Sequence, residues 1–391
     1  MVLFTVWLSS CIASVRGHPP APPLVVQTEG GAVRGAVKGH CRSFFGIPYA
    51  APPMGSRRWA PPQPAARWGS AARDCTTDTK PICWQSVSSL GLLERAVAFG
   101  SGGQSEDCLF VNVQGPANAS SGLPVMLYIH GGSNLEGSGS NFGSPQRLCE
   151  DGIMVVSFNY RLGALGGLAL PELQSESGTT GNYAVQDQRA AMAWVQRNIA
   201  VFGGDPQRVT LAGESAGAMA VIAHLVLPRS MPLFQQGIAM SGNDDSMSLD
   251  AAVSAGKRFV ALAGCVGANA SATLGCLRRA DPSFLIGLQG AVYNGSMRAL
   301  QWPVADGYEL PLGGSLRAEF EAGRAASKPL LAGTNRDDIS IFFGAMPDEV
   351  RSNPNSDEAP ISQPATDSRL DLKPRRAAAP LRLFVGYESL V

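Results

Sequence analysis

Val209-Thr-Leu-Ala-Gly213-Glu214-Ser215-Ala216-Gly217-Ala218-Met219 decides how this 391-residue chain is read. A short apolar run closes on Gly-x-Ser-x-Gly, and Ala218, Val221 and Ile222 open an apolar helix behind it. Strand, tight turn and helix form the context in which a serine stands on a strained bend with its Oγ clear of the sheet. Gly213 and Gly217 flank Ser215 because side chains there would collide with the bend. Ala216 follows the serine, so its backbone N–H faces the same point and can hold an oxyanion. The five-residue pattern alone also suits a turn with no chemistry. The strand before it and the helix after it favour a nucleophile.

Working outward, three more apolar runs stop at turn residues: Val125-Met-Leu-Tyr-Ile129, Met154-Val-Val-Ser-Phe158 and Pro329-Leu-Leu-Ala332. Such runs suit strands buried on both faces of a mainly parallel sheet. Between the second run and Val209, the stretch 182–202 carries Val185, Met192, Val195 and Ile199 near helical spacing. Strand, helix, strand makes crossover units and predicts the α/β class. Cys108-Leu-Phe-Val-Asn-Val113 and Leu24-Val-Val-Gln-Thr28 read as further strands. After the first run comes His130-Gly131-Gly132-Ser133-Asn134. A glycine pair lets backbone N–H groups approach a reacting carbonyl, each donor being worth roughly a hundred- to thousandfold in rate.

The composition agrees with an enzyme-sized core: 45% apolar, 16% charged, with 31 basic and 31 acidic residues. A balanced chain with no long basic run gives no reason to expect a nucleic-acid partner. Residues 1–17 combine a short apolar run with small residues, as a secretory signal peptide does. No other stretch is apolar for long enough to span a bilayer as a helix. Asn118, Asn269 and Asn294 each begin an Asn-x-Ser sequon, consistent with a secreted glycoprotein. Of the eight Cys, Cys11 falls within the signal, and the seven others leave at least one without an intramolecular partner. Residues 345–391, rich in Pro, Ser, Asp, Arg and Ala, are read as a disordered tail.

Several blocks in order resemble the type-B carboxylesterase and cholinesterase family. They are Phe45-Gly-Ile-Pro-Tyr-Ala-Ala-Pro-Pro53 with Arg58 and Trp59, Ser105-Glu-Asp-Cys-Leu-Phe-Val-Asn112, and Asn159-Tyr-Arg-Leu-Gly163. Gly181-Asn-Tyr-Ala-Val-Gln-Asp-Gln188, Asn198-Ile-Ala-Val-Phe-Gly-Gly-Asp-Pro206, Leu233-Phe234, Met240-Ser-Gly242 and Pro303-Val-Ala-Asp-Gly307 continue it. The resemblance implies an α/β-hydrolase fold, with a mostly parallel central sheet and helices on both faces. It further implies a serine esterase acting on a small-molecule ester without metal or cofactor. Ser215 would be the nucleophile. Gly132, Ser133 and Ala216 would supply the oxyanion N–H groups, with Ser133 standing where the family usually has a third Gly. Cys83 would pair with Cys108, and Cys265 with Cys276, leaving Cys41, Cys75 and Cys149 unassigned. Asp338 takes the position of the family's acidic residue, usually Glu, and Asp337 reads as a solvated loop acid. Cholinesterases place a Trp ten residues before the Cys matching Cys108; here position 98 is Ala, so choline esters are not the expected substrates.

The fold's chain order is Ser, acid, His. The four histidines are His18, His40, His130 and His224, and none follows Asp338. On a continuous helix His224 would lie about 13 Å along from Ser215 and about half a turn out of phase. His130 reads as structural. Nothing after Ala345 resembles the family's closing strands and helices. The expectation is therefore an incomplete α/β-hydrolase domain over 18–344, missing its C-terminal part. Its ester turnover is impaired, since losing one triad member leaves a residual rate about a thousandfold over water. A non-catalytic binding or adhesion protein on the same fold is the alternative.

Overall fold

The computed structural model describes residues 24–86, 102–118, 121–293, 303–335, 338 and 383–384. The signal-peptide reading of 1–17 falls outside them, as do Asn294, Asp337 and nearly all of 345–391. Nine strands build the main sheet: β1 (Ala36–Lys38), β2 (Cys41–Pro48), β3 (Phe110–Pro116), β4 (Leu123–Ile129), β5 (Met154–Phe158), β6 (Gly204–Glu214), β7 (Gln236–Met240), β8 (Leu330–Gly333) and β9 (Leu383–Phe384). Their order is β9-β8-β7-β6-β4-β5-β3-β2-β1. The pairings from β1 through β3 to β5 are antiparallel, and those from β5 to β9 are parallel. The β9 pair lies inside the stretch read as disordered tail and is a correction to it: Leu383 and Phe384 register with Leu330 and Leu331.

Crossover helices follow the parallel half. α1 (Tyr183–Asn198) joins β5 to β6, and α2 (Ala216–Val226) joins β6 to β7. They touch through His224 of α2, whose Nε2 lies 3.0 Å from Gln188 Oε1 on α1, so both cover one face. That face is dry: Val125, Leu127, Ile129, Val209, Leu211 and Ala239 are all buried. The other face carries the β4–β5 connection, where Phe142 packs edge-on against Tyr128 at 4.8 Å.

The four apolar runs differ from the expected burial on both faces. Only β5 is buried throughout. β4 alternates buried and half-buried residues, and β7 and β8 alternate toward exposure, ending with Met240 at 40% and Leu331 at 47%. The period of two is that of a sheet with one fully covered face. A continuous apolar sequence therefore does not by itself report two-sided cover.

The cysteines close the fold at three places: Cys83–Cys108, Cys265–Cys276 and Cys41–Cys149. The last pairs two of the three unassigned residues. It ties the start of β2 to the helix Gln146–Glu150, beside Gln146, whose Oε1 accepts the His40 N–H and whose Nε2 donates to the Lys38 carbonyl. Cys75 is free and buried, and burial pushes its thiol up to about 11. It is inert on that account.

The Cys41–Cys149 link closes a separation of 108 residues. Replacing both cysteines by serine should lower stability by about 2–5 kcal/mol, read as a lower urea midpoint. An unchanged midpoint would mean that the native edge is held without the bridge.

Candidate active site

β6 runs straight into the Ser215 bend. Ser215 has φ 55° and ψ −124°, a conformation that costs a non-glycine residue on the order of 1–3 kcal/mol. Two hydrogen bonds hold it there. The Ser215 N–H donates to the Met240 carbonyl at the end of β7 (2.9 Å), and the Ser215 carbonyl accepts from Met219 N–H in α2 (3.0 Å). The Ala216 N–H opens α2, where no intrahelical acceptor exists and the helix dipole is positive.

The glycine at 217 has a mechanical reason. A Cβ there would stand 2.1 Å from the Ile129 carbonyl oxygen, so α2 can begin only where β4 ends if residue 217 has no side chain. Gly131 shows the same contact from the other side. Its Cβ would meet Glu214 O at 2.7 Å and Ser215 Cβ at 3.1 Å. The loop after β4 and the bend after β6 are thus pressed backbone to backbone. Gly132 (φ 100°), Ser133 (φ 54°) and Asn134 (φ 61°) then turn through the left-handed region. The Gly132 carbonyl accepts from Leu135 and Glu136, and the Asn134 carbonyl from Gly163. These bonds hold the loop whose N–H groups were expected to face the serine.

Five non-glycine residues with positive φ occur among the described residues, and four belong here: Ser133, Asn134, Ser215 and Ser241. Ser241 was not singled out from sequence. Its N–H donates to Gly333 O of β8 at 2.7 Å, directly after the residue whose carbonyl holds Ser215. The only sequence signal for this was a strand ending in Ser241-Gly242. Asp338 lies past the end of β8, half-buried, its Oδ1 accepting from Asn335 Nδ2 at 3.0 Å. It is close enough to Glu214 to raise that carboxyl further, after burial has raised it first. Nucleophile, oxyanion loop and acid are all brought to the carboxyl ends of the strands. β4 connects one way to β5, and β5 connects back past it to β6, so Ser215 and Gly131 flank the place where the strand order reverses.

The described histidines are occupied elsewhere. His130 is buried, donates through Nδ1 to Gly131 O at 2.8 Å, and stacks on Tyr160 at 4.2 Å. Tyr160 in turn donates to the His130 carbonyl at 2.7 Å. Burial pushes the His130 ring down to about 4. His224, fully buried, places Nδ1 2.8 Å from Ser230 Oγ and Nε2 3.0 Å from Gln188 Oε1. Burial, and then the charge of Arg189, push it down to about 3. His40 lies at the β1–β2 edge, paired with Glu150 at 2.9 Å. His18 is outside the described residues. Among those residues no cluster of His, Cys, Asp and Glu could hold a metal ion, and no helix is long and apolar enough to cross a membrane.

The sequence profile of the carboxylesterase family matches residues 22–375. The chain belongs to that family. Among its carboxylesterase relatives, the fumonisin B1 esterase of Sphingopyxis macrogoltabida is 36% identical over 355 residues, covering 88% of this chain and 62% of the relative. Carboxylesterase 1C of Rattus norvegicus is 36% identical over 78% of this chain and 56% of its own length. The para-nitrobenzyl esterase of Bacillus subtilis (strain 168) is 33% identical over 92% of the chain and 72% of its own length. A solved PNB esterase structure superposes with a TM-score of 0.73 at 35% identity, covering 82% of this chain and 64% of that one. The fold is the α/β-hydrolase fold that such carboxylesterases share. The chain spans less than two thirds of the length of the first two relatives.

Two outcomes follow from this geometry. Gly217→Ala should cost about 1–3 kcal/mol or more, because the clash is with backbone that cannot turn aside; a thermal midpoint equal to the parent's would show that β4 and α2 have room. His130 and His224 both titrate lower in the folded chain than in the unfolded one, so the unfolded chain binds more protons below the ordinary histidine value. Their contribution is complete above about pH 6.5 and is lost as pH falls toward 4 and 3. The urea midpoint should fall across that window, and His224→Asn should flatten the fall. A parent whose midpoint is the same at pH 7 and pH 4 would contradict it.

Proposed function

We propose that this chain carries the site of a carboxylic ester hydrolase, with Ser215 as nucleophile, the amides of Gly132, Ser133 and Ala216 as oxyanion donors, and Asp338 as the acid. The carrying observation is the contact of the Gly131 loop with Ser215 at the strand reversal, on a strained bend held by Met240 and Met219. Ser215 Oγ would attack the ester carbonyl, forming a tetrahedral intermediate. Its oxygen would draw on amides fixed before the substrate arrives, where they need no reorganisation. Collapse would release the alcohol and leave an acyl-serine for water to hydrolyse. The substrate is a small ester; similarity to fumonisin B1, para-nitrobenzyl and choline esterases supports that class and no narrower one.

The three disulfides support a secreted chain. Asn118 and Asn269 are exposed, as glycan acceptors must be. Asn269 also caps α4 (Ala270–Arg279), its side chain accepting the Ala272 N–H at 3.0 Å, through Oδ1 rather than the nitrogen that would carry sugar. The placement of His40, His130 and His224 supports the second reading, an esterase-like binding protein with little turnover.

A fluorophosphonate probe separates the two. Labelling of the folded chain that vanishes in Ser215→Ala, with ester turnover only about a thousandfold above background, is the expected result. A folded chain that takes no label would favour the binding protein. Brisk hydrolysis lost in Ser215→Ala would show that an efficient base acts on Ser215 after all.

A further inference from the structure

Glu214 stands out once the histidines are accounted for. One point in space, where a Gly131 side chain would begin, lies 2.9 Å from Glu214 Oε2 and 3.1 Å from Ser215 Cβ. The carboxylate and the serine therefore line the same side of the oxyanion loop. Glu214 sits at the open end of β6, where water reaches it. Among the described residues its carboxylate meets no cation and no hydrogen-bond donor. The charged or titratable groups that face it are Asp338, from the loop after β8, and Tyr128, from β4. A carboxylate with no partner, set beside a second carboxylate, contributes nothing to folding stability. It does make a group that holds a proton more tightly than an ordinary glutamate.

We propose that in this 391-residue chain Glu214 is the proton acceptor for Ser215, working through one intervening water, and that Asp338 is its positioning and charge partner. The proposal rests on the ester-hydrolase reading. As Oγ bonds to the carbonyl carbon, its proton passes to the water, and a proton of that water passes to the Glu214 carboxylate. The carbonyl electron pair moves to the oxyanion. When the bond to the alcohol oxygen breaks, Glu214 returns the proton by the same water to the leaving alkoxide. In the second half a water attacks the acyl-serine, Glu214 again takes its proton, and Ser215 regains it as the acid departs. The net reaction is ester plus water to acid plus alcohol. The distance is bridged as a general base can bridge it, by one water. A carboxylate is a weaker base than imidazole, so the rate is slow.

The test measures fluorophosphonate labelling and p-nitrophenyl acetate hydrolysis against pH in the parent chain, Ser215→Ala, Glu214→Gln and Asp338→Asn, with folding checked by urea midpoint. Glu214→Gln should slow both reactions by about a hundredfold with KM unchanged. The parent rate should rise with pH along an acid limb lying above the ordinary glutamate range, and Asp338→Asn should move that limb down. Glu214→Gln labelling at the parent rate and with the parent profile, while Ser215→Ala stays unlabelled, would overturn the proposal and leave the ester-hydrolase reading standing. No label on the folded parent would overturn both. If Glu214→Gln does not fold, a parent rate that is flat across the acid range is itself enough to overturn it.

Discussion

The contact between the end of β4 and the start of α2 governs this molecule. Gly217 passes the Ile129 carbonyl, and Gly131 passes the Glu214 carbonyl, with no room for a methyl group at either place. Backbone pressed on backbone leaves little freedom, so the bend at Ser215 and the loop at 132–134 have one arrangement relative to each other. The strain at Ser215 is held by bonds to β7 and α2, and its neighbour Ser241 is held by β8. Three parallel strands thus support one side chain. Their hydrogen-bond ladders and the dry face under α1 and α2 supply the stability that offsets the strain.

Sheet order turns that contact into a site. Antiparallel strands β1 to β3 extend the sheet, and the parallel half places every strand end, β4, β6, β7 and β8, on one side. Loops leaving those ends converge where the order reverses, which is why residues as far apart as Gly131, Ser215 and Asp338 meet. The buried ion pairs serve the scaffold. Arg161 bonds Asp187 at 2.7 Å, and Arg58 bonds Glu106 at 2.6 Å, both nearly dry. Each would leave a costly unpaired charge if one partner were removed. They brace the loops behind the oxyanion turn and not the serine itself.

Much of this was legible in the residues. The Gly213-to-Gly217 pattern is local chemistry, and local chemistry survives without coordinates. So were the strand positions, because apolar runs closed by glycine have few other uses. What sequence could not give was anything set by partners far along the chain. The Cys41–Cys149 link needs the β1–β2 edge folded onto a helix more than a hundred residues away. The role of Met240 and Ser241 depends on the β6–β7 register, which no motif records. One-sided burial of β4, β7 and β8 was misread, since an unbroken apolar run looks the same whichever faces are covered. For His224, helix geometry excluded reach to Ser215, but its bonds to Ser230 and Gln188 came only with the packing of α1 on α2.

The central claim is that the Ser215 hydroxyl and the amides of the 132–133 turn and Ala216 form one pre-set pocket for a negatively charged oxygen. Its most direct measurement is a crystal structure of the chain phosphonylated on Ser215. The account predicts the phosphoryl oxygen within hydrogen-bond distance of the Gly132 and Ala216 nitrogens, with Ser215 still at positive φ. A phosphoryl oxygen turned to solvent, or a Ser215 side chain relaxed to negative φ and folded toward the core, would contradict it.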